Sequence, residues 1–404
     1  MKRIAQYLLA FCAKRIIKKF KPIIIGITGS VGKTTTKDCI AHILESEYSV
    51  LQTYKNANNE FGLPLSILEL KASNTKSGWI DVIKQAFKKA YTLDTYYEVL
   101  VLEMGMSEPG NLAYLHTIVQ PHIAIVTNVE SVHMQYFKNQ DELAYEKATI
   151  IRKLRSGGSA FVNYDNEYTR KMITMHPTST KIYTFGFDKK ADIYATEVKN
   201  TELGLKAVIH EGEKKYPIHA PHLLGKHCMY SLLVAWGVAR RLNISEQDIM
   251  KGIKTFKGPE GRMNLVEGIN HSWIIDSSYN AEPSSMRAAL STLKDIPQGE
   301  RRIAILGDML ELGSQEKDLH QELGRFVSDL RLDLVCFVGP RMKYAYESFQ
   351  KQPVTYTRSA LYFENSEKAA ENLPQKIKEG DLLLIKGSNG MKMDTILQVL
   401  SRKR

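Results

Sequence analysis

The sequence is sparing with cysteine. The four it has, Cys12, Cys39, Cys228 and Cys336, are so scattered that no pair shows metal-ligand or redox spacing. A disulfide-stapled scaffold is excluded, and a reduced cytosolic setting is expected. There is no internal repeat and no low-complexity tract, so neither a solenoid nor a disordered chain fits. What remains, 43% hydrophobic and 25% charged, is the composition of an ordinary globular protein. At 404 residues the chain is long for one compact core, which makes two domains the starting expectation. Long apolar runs are also missing. The run nearest the start, "IAQYLLAFCA", is too short and too closely flanked by charge to span a bilayer. "KRIIKKFK" follows it where a signal-peptide cleavage site would stand.

Acidic residues are absent from positions 1–21, which carry Lys2, Arg3, Lys14, Arg15, Lys18, Lys19 and Lys21. These seven account for most of the formal net charge of +11, so the body of the protein is only mildly basic. A nucleic-acid-dependent ATPase therefore loses its main support, and no nucleic-acid partner is expected. Two readings of this leader stay open. It is a helix packed on the body, or a basic amphipathic helix resting on an anionic membrane surface.

Against these absences stands "GITGSVGKTTTKD" at 26–38. Gly29 and Gly32 let the backbone approach an anion without a Cβ in the way. Ser30, Val31 and the N–H groups of the following helix turn partial positive charge toward phosphate. Lys33 can reach terminal phosphates, the Thr34 hydroxyl can coordinate Mg²⁺, and Thr35 continues the cradle. The usual phosphate loop has glycine where Ile27 stands, so this is a variant built on Gly26 and Gly29. The β-rich "IIIGITGS" before it and the helical spacing of "KTTTKDCIAHILESEY" after it supply the strand–loop–helix context.

Further buried strands are expected at "EVLVLEMG" (98–105), "HIAIVTNV" (122–129) and "SAFVNYD" (159–165), with helical patterns between them. Residues 181–219 read as short strands separated by turns, a small mixed β insertion. After the Gly/Pro-rich segment "FKGPEGRMN" (256–264) the α/β rhythm restarts. The expected architecture is α/β in three parts. A basic leader helix (1–21) precedes a phosphate-loop ATPase domain with a mainly parallel sheet (22–257), then a smaller Rossmann-like domain (258–404).

Nine blocks give the order of these elements a resemblance. "TGSVGKTTTKD", "NANNEFGLPLSIL", "LEMGMSEPGNLAYL", "TNVESVHMQYF", "EKATII", "GRMN", "IDSSYNAEPSSMRAAL", "ILGDMLELG" and "IKGSNGMKMD" occur in the order seen in Mur ligases. The likeness covers about residues 22–404. "GDMLELG" and "KGSNGMKM" favour the branch of the family that adds D-alanyl-D-alanine to a UDP-muramoyl tripeptide in cell-wall synthesis. The resemblance implies an ATP-dependent amide ligase working through an acyl phosphate, with ADP and phosphate as products. It implies that Thr34 and Glu103 hold one Mg²⁺, that His133 helps hold a second, and that Lys147 is carbamylated to N6-carboxylysine beside the metal. Lys33, Lys147, His133 and Arg262 would be the catalytic groups. Asn128 would lie near the phosphates, Arg262 near the γ-phosphate on domain closure, Asp276 at ribose and Asn280 against adenine. Asn58, Asn59, Asp308, Glu311, Lys386 and Ser388 would line the substrate pockets. Ser277 and Glu282 depart from the family run and receive no role.

The resemblance also implies an N-terminal uridine-holding domain, yet the loop begins at residue 29. That leaves open a ligase for UDP-muramoyl peptide with rearranged uridine contacts, or with those contacts on a partner chain. It also leaves open a ligase for another carboxylate, such as a lipid-linked one. A non-catalytic nucleotide-binding regulator is disfavoured, because Lys33, Thr34, Glu103, His133, Lys147 and Arg262 are all present.

Overall fold

The computed structural model describes the chain except residues 1, 55–56, 131–135, 178, 202–203, 298, 354–358 and 403–404. The chain forms two compact units. One comprises Met1–Thr196, Val208–Pro217 and Met229–Ile253; the other comprises Glu197–Ala207, Ile218–Cys228 and Lys254–Arg404.

Nine strands make the first sheet: β1 (Ile23–Thr28), β2 (Val50–Gln52), β3 (Val99–Glu103), β4 (Ile123–Val126), β5 (Ser159–Asn163), β6 (Lys181–Gly186), β7 (Ile193–Thr201), β8 (Gly204–Glu211) and β9 (Lys214–Ala220). Their order is β2-β3-β1-β4-β5-β6-β7-β8-β9, parallel from β2 to β7. The runs "VLVLE", "IAIV" and "SAFVN" are buried throughout, as strands covered on both faces must be. The four runs of the expected β insertion are β6–β9, and they continue this sheet, with Lys181 of β6 opposite Ser159 of β5.

Among the described residues, the helices that accompany the sheet are α1 (Lys2–Phe20), α2 (Lys33–Leu44), α3 (Gly62–Ile67), α4 (Lys76–Thr92), α5 (Asn111–Ile118), α6 (Gln140–Lys147), α7 (Thr149–Arg152), α8 (Glu167–Lys171), α9 (Cys228–Arg241) and α10 (Glu246–Thr255). The leader is thus a full helix. It buries Leu9, Cys12, Ala13 and Ile16 in the same core as Leu63 of α3, Val82 and Ala86 of α4 and Leu112 of α5. Among the described residues no helix is long and apolar enough to cross a membrane.

The second sheet contains β10 (Asn264–Glu267), β11 (Trp273–Ser277), β12 (Arg302–Gly307), β13 (Leu334–Val338), β14 (Ser359–Phe363) and β15 (Leu382–Lys386) in the order β10-β11-β15-β12-β13-β14. Only β10 pairs antiparallel among these registers. Neighbouring residues face opposite ways: Ile275 and Leu384 join one apolar cluster, Ile274 and Leu383 the other. The accompanying helices are α11 (Pro283–Asp295), α12 (Glu316–Ser328), α13 (Met342–Gln350), α14 (Ser366–Asn372) and α15 (Asp394–Leu400). Helix α11 begins with Pro283 and a reciprocal capping box between Glu282 and Ser285. Glu282, left without a role by the sequence, is a helix cap.

Candidate active site

In the first unit, register sets three strand ends side by side. Ile27 pairs with Glu103, and Thr28 with Val126. The loop after β1, the carboxylate ending β3 and the segment after β4 therefore meet at one sheet edge, where open α/β sheets bind ligands. Helix α2 opens on Gly32, which has φ +84° and offers no side-chain cap. The first N–H groups of α2 thus face an open mouth, and a Cβ on Gly32 would touch nothing. This fits a phosphate.

The loop is fastened from behind. Ser30 and Val31 donate their N–H groups to Asn128 Oδ1 at 3.1 and 2.8 Å. Thr127 Oγ1 donates to the Val31 carbonyl at 2.7 Å. Ser30 Oγ accepts from the Glu130 N–H at 2.9 Å. Lys33 Nζ curls back onto the carbonyls of Gly29 (2.8 Å) and Ser30 (3.0 Å), poised over the cradle it would neutralise. Thr35 is buried. Thr127 was not anticipated, although a hydroxyl directly after the apolar run "IAIV" was the available signal.

The Thr34 hydroxyl donates to Glu103 Oε2 at 2.9 Å, and Asn58 Nδ2 donates to Glu103 Oε1 at 2.9 Å. A hydroxyl and a carboxylate at the mouth of a phosphate cradle suit Mg²⁺, which keeps several waters and needs few protein ligands. Asn59 is used otherwise, its Oδ1 accepting from the N–H groups of Phe61 and Gly62 at the start of α3. Lys147 ends α6 and is only 1% exposed, an unusual setting for a lysine. His133 lies outside the described residues. Among the described residues, no three His, Cys, Asp or Glu side chains gather as a metal cluster.

Gly29 shows how tight the loop is. Its φ is +142°, and a Cβ there would stand 2.0 Å from Thr127 Oγ1. Gly29→Ala should cost about 1–3 kcal/mol in local strain and weaken ATP binding by roughly tenfold or more. Calorimetric titration with ATP checks this; unchanged affinity would show that the fastening does not matter.

The second unit gathers its own polar group at the ends of β11, β15 and β12. Lys386 Nζ donates to Ser277 Oγ (3.2 Å) and the Asn280 carbonyl (2.8 Å). Ser388 Oγ donates to the Ala281 carbonyl (3.1 Å) and accepts from the Leu310 N–H (2.9 Å). One serine therefore ties the 276–282 and 308–311 segments together. Asp276 accepts from the Gly261 N–H and from Ser278, and the Arg262 guanidinium stacks 4.3 Å from the Tyr279 ring centroid. Asn280 is exposed, its amide reaching Glu282 at 3.3 Å. Asp308 is fully buried and accepts from the Met342 N–H at 2.7 Å, capping α13, with Arg341 beside it. Burial pushes its carboxyl up, against those hydrogen bonds. Glu311 is exposed at φ +63°. His320, unforeseen, accepts from the Met309 N–H at 3.2 Å and holds this loop from below.

Burial pulls the Lys386 ammonium down to about 7; Arg262 adds to the effect, while Glu282 and Asp276 oppose it. An unfolded lysine titrates at about 10.4. Between these values the unfolded chain holds a proton that the folded chain lacks, so stability from this group rises with pH through that window. Below it both states are charged and the full burial penalty applies. The melting temperature of Lys386→Met, relative to the natural chain, should therefore fall as pH rises from about 7 to about 10. Calorimetric scans across that range test it; a constant difference would show that Lys386 does not titrate there.

A parallel sheet with its phosphate cradle at a strand–helix junction, followed by a second parallel-sheet unit, defines the class of phosphate-loop nucleotide-binding proteins. Residues 27–239 match the Mur ligase middle domain and residues 261–389 match the Mur ligase glutamate ligase domain. The chain belongs to the Mur ligase family. It is 31% identical over 96% of its length to the UDP-N-acetylmuramoyl-tripeptide--D-alanyl-D-alanine ligase of Bacillus subtilis, covering 78% of that protein. The crystal structure of MurF from Acinetobacter baumannii superposes with a TM-score of 0.81 at 27% identity, over 97% of this chain and 80% of that one. MurF ligase from Thermotoga maritima, in complex with ADP, gives a TM-score of 0.81 at 26% identity, over 98% and 83%.

Proposed function

We propose that the protein is an ATP-dependent amide ligase that joins D-alanyl-D-alanine to a UDP-N-acetylmuramoyl tripeptide in peptidoglycan synthesis, releasing ADP and phosphate. The reaction class rests above all on the Thr34–Glu103 pair at the mouth of an uncapped helix N-terminus. The substrates rest on the named relatives, which align with nearly the whole chain.

Amide formation from a carboxylate needs a better leaving group than hydroxide, and phosphorylation by ATP supplies it. Amine attack on the resulting acyl phosphate then expels phosphate. Bringing a carboxylate to a triphosphate sets anion against anion, so the first unit must supply positive charge. Lys33 and the N–H groups of α2 do so. Thr34, Glu103 and carbamylated Lys147 are the proposed holders of Mg²⁺, which would polarise the phosphoryl oxygens when bound. Asn58 fixes the Glu103 carboxylate from its other oxygen. In the second unit, Lys386 and Ser388 are the proposed contacts of the dipeptide, Lys386 offering a cation to its carboxylate.

The test is release of ADP and phosphate with D-Ala-D-Ala and UDP-muramoyl tripeptides supplied separately and together. Turnover requiring both supports the proposal. Turnover with the dipeptide and only some other carboxylate would reassign the acceptor. ATP binding without turnover on any acceptor would sink the ligase reading.

A further inference from the structure

Helix α1 buries one side in the core and leaves the other uncovered. The uncovered side carries Ile4, Tyr7 and Phe11, each about one turn from the next, at 64%, 70% and 41% exposure. Helix α4, packed against α1, adds Ile80 and Tyr91 at 58% and 53% exposure. The Phe11 ring centroid lies 6.2 Å from that of Phe87, and Phe87 6.4 Å from Tyr91, so the aromatic residues of the two helices are continuous. Past Phe11 the same side of α1 turns basic, with Lys14, Arg15 and Lys18 exposed at helical spacing. Arg15 stacks 3.9 Å over Tyr91 and donates to the Ala90 carbonyl, while Lys19 donates to the Leu93 carbonyl; these contacts tie α1 to the end of α4. Lys84 and Lys88 are exposed on α4. Helix α1 contains no acidic residue and α4 only Asp81.

We propose that the α1–α4 face docks on an anionic lipid bilayer, with both helices lying in the interface plane. Large apolar side chains scattered singly are ordinary; a contiguous patch edged by cations is not. Tyr and Phe with Lys and Arg beside them are the composition of a headgroup-level surface: rings enter the acyl boundary and ammonium groups meet phosphate. Protein interfaces, by contrast, are depleted in lysine. A second copy of this chain would set one basic patch against another. Nucleic acid would satisfy the lysines and leave Ile4 and Ile80 in water. The proposal concerns where the protein sits, and vesicle binding succeeds or fails independently of ligase turnover.

Deleting residues 1–21 would strip Leu9, Cys12 and Ile16 from the core, so point variants are the appropriate probe. The full chain is floated with vesicles of phosphatidylcholine alone and with vesicles also containing phosphatidylglycerol. The natural chain should float only with the anionic vesicles. Ile4→Ser with Tyr7→Ser should lower the bound fraction by about tenfold or more. Lys14→Gln with Lys18→Gln should lower it by roughly fivefold per lysine and flatten its salt dependence. Melting temperatures of both variants should match the natural chain. Failure of the natural chain to float with anionic vesicles, or undiminished binding by both variants, would overturn the proposal. So would a dimer in sedimentation that Ile4→Ser with Tyr7→Ser dissolves, which would assign the face to a second copy.

Discussion

Lys33→Ala should lower ligase turnover by about 10²–10³-fold while leaving the far-ultraviolet circular dichroism spectrum unchanged. Lys33 is half-buried and stands at the first position of α2, so its removal opens no hole in the core. What it does remove is a side-chain cation bonded to the loop itself, at 2.8 and 3.0 Å from the Gly29 and Ser30 carbonyls. When a carboxylate approaches the terminal phosphate, that cation would act where negative charge accumulates most. The N–H groups of α2 and the Asn128 fastening survive the substitution, so ATP binding should fall less than turnover. Lys33→Arg keeps the charge on a bulkier, forked head and should recover binding more than rate. Parallel measurement of ATP affinity and of turnover decides the matter. Equal losses in both would make Lys33 a binding residue only, and a fully active Lys33→Ala would remove the loop from the reaction.

The phosphate loop was legible because three local signals agree there: the β-rich run before it, the glycines, and the helical spacing after it. Glu103 was legible as a carboxylate closing an apolar strand, where it needs a partner. Its partners were not legible, because the Thr34–Glu103 and Asn58–Glu103 bonds depend on which strands become neighbours. That β3 sits beside β1 is decided by long-range packing and has no local mark. The same limit explains Thr127 and His320, whose hydrogen bonds span 96 and 11 positions of sequence. Residues 181–219 show the converse. Their short runs and turns were legible as strands, while their continuation of the main sheet follows from the pairing of β6 with β5. In the second unit, Glu282 and Asp308 are carboxylates whose hydrogen bonds serve helix starts. A residue-type pattern alone does not separate a capping carboxylate from one that faces a ligand.

Lys147→Met should abolish most ligase turnover, by about 10²-fold or more, yet leave the fold intact. Methionine matches the length of the lysine stem, and at 1% exposure it is the stem that packs. Lys147→Ala removes that volume as well and should cost about 2–5 kcal/mol of stability, so the methionine variant separates chemistry from packing. If the side chain acts as a carbamate, it contributes an anion to the metal site rather than a cation. Two readouts follow that a merely structural lysine would not produce. Isotope-labelled bicarbonate should give a carbamate carbonyl resonance in the natural chain that is absent from Lys147→Met. A short carboxylate such as acetate or propionate, added to Lys147→Ala, should restore part of the lost activity by occupying the vacated space with an equivalent anion. Full activity in Lys147→Met would exclude the carbamate outright. Loss of activity with no labelled resonance and no rescue would leave Lys147 a packing residue, with Thr34, Glu103 and His133 as the remaining proposed metal holders.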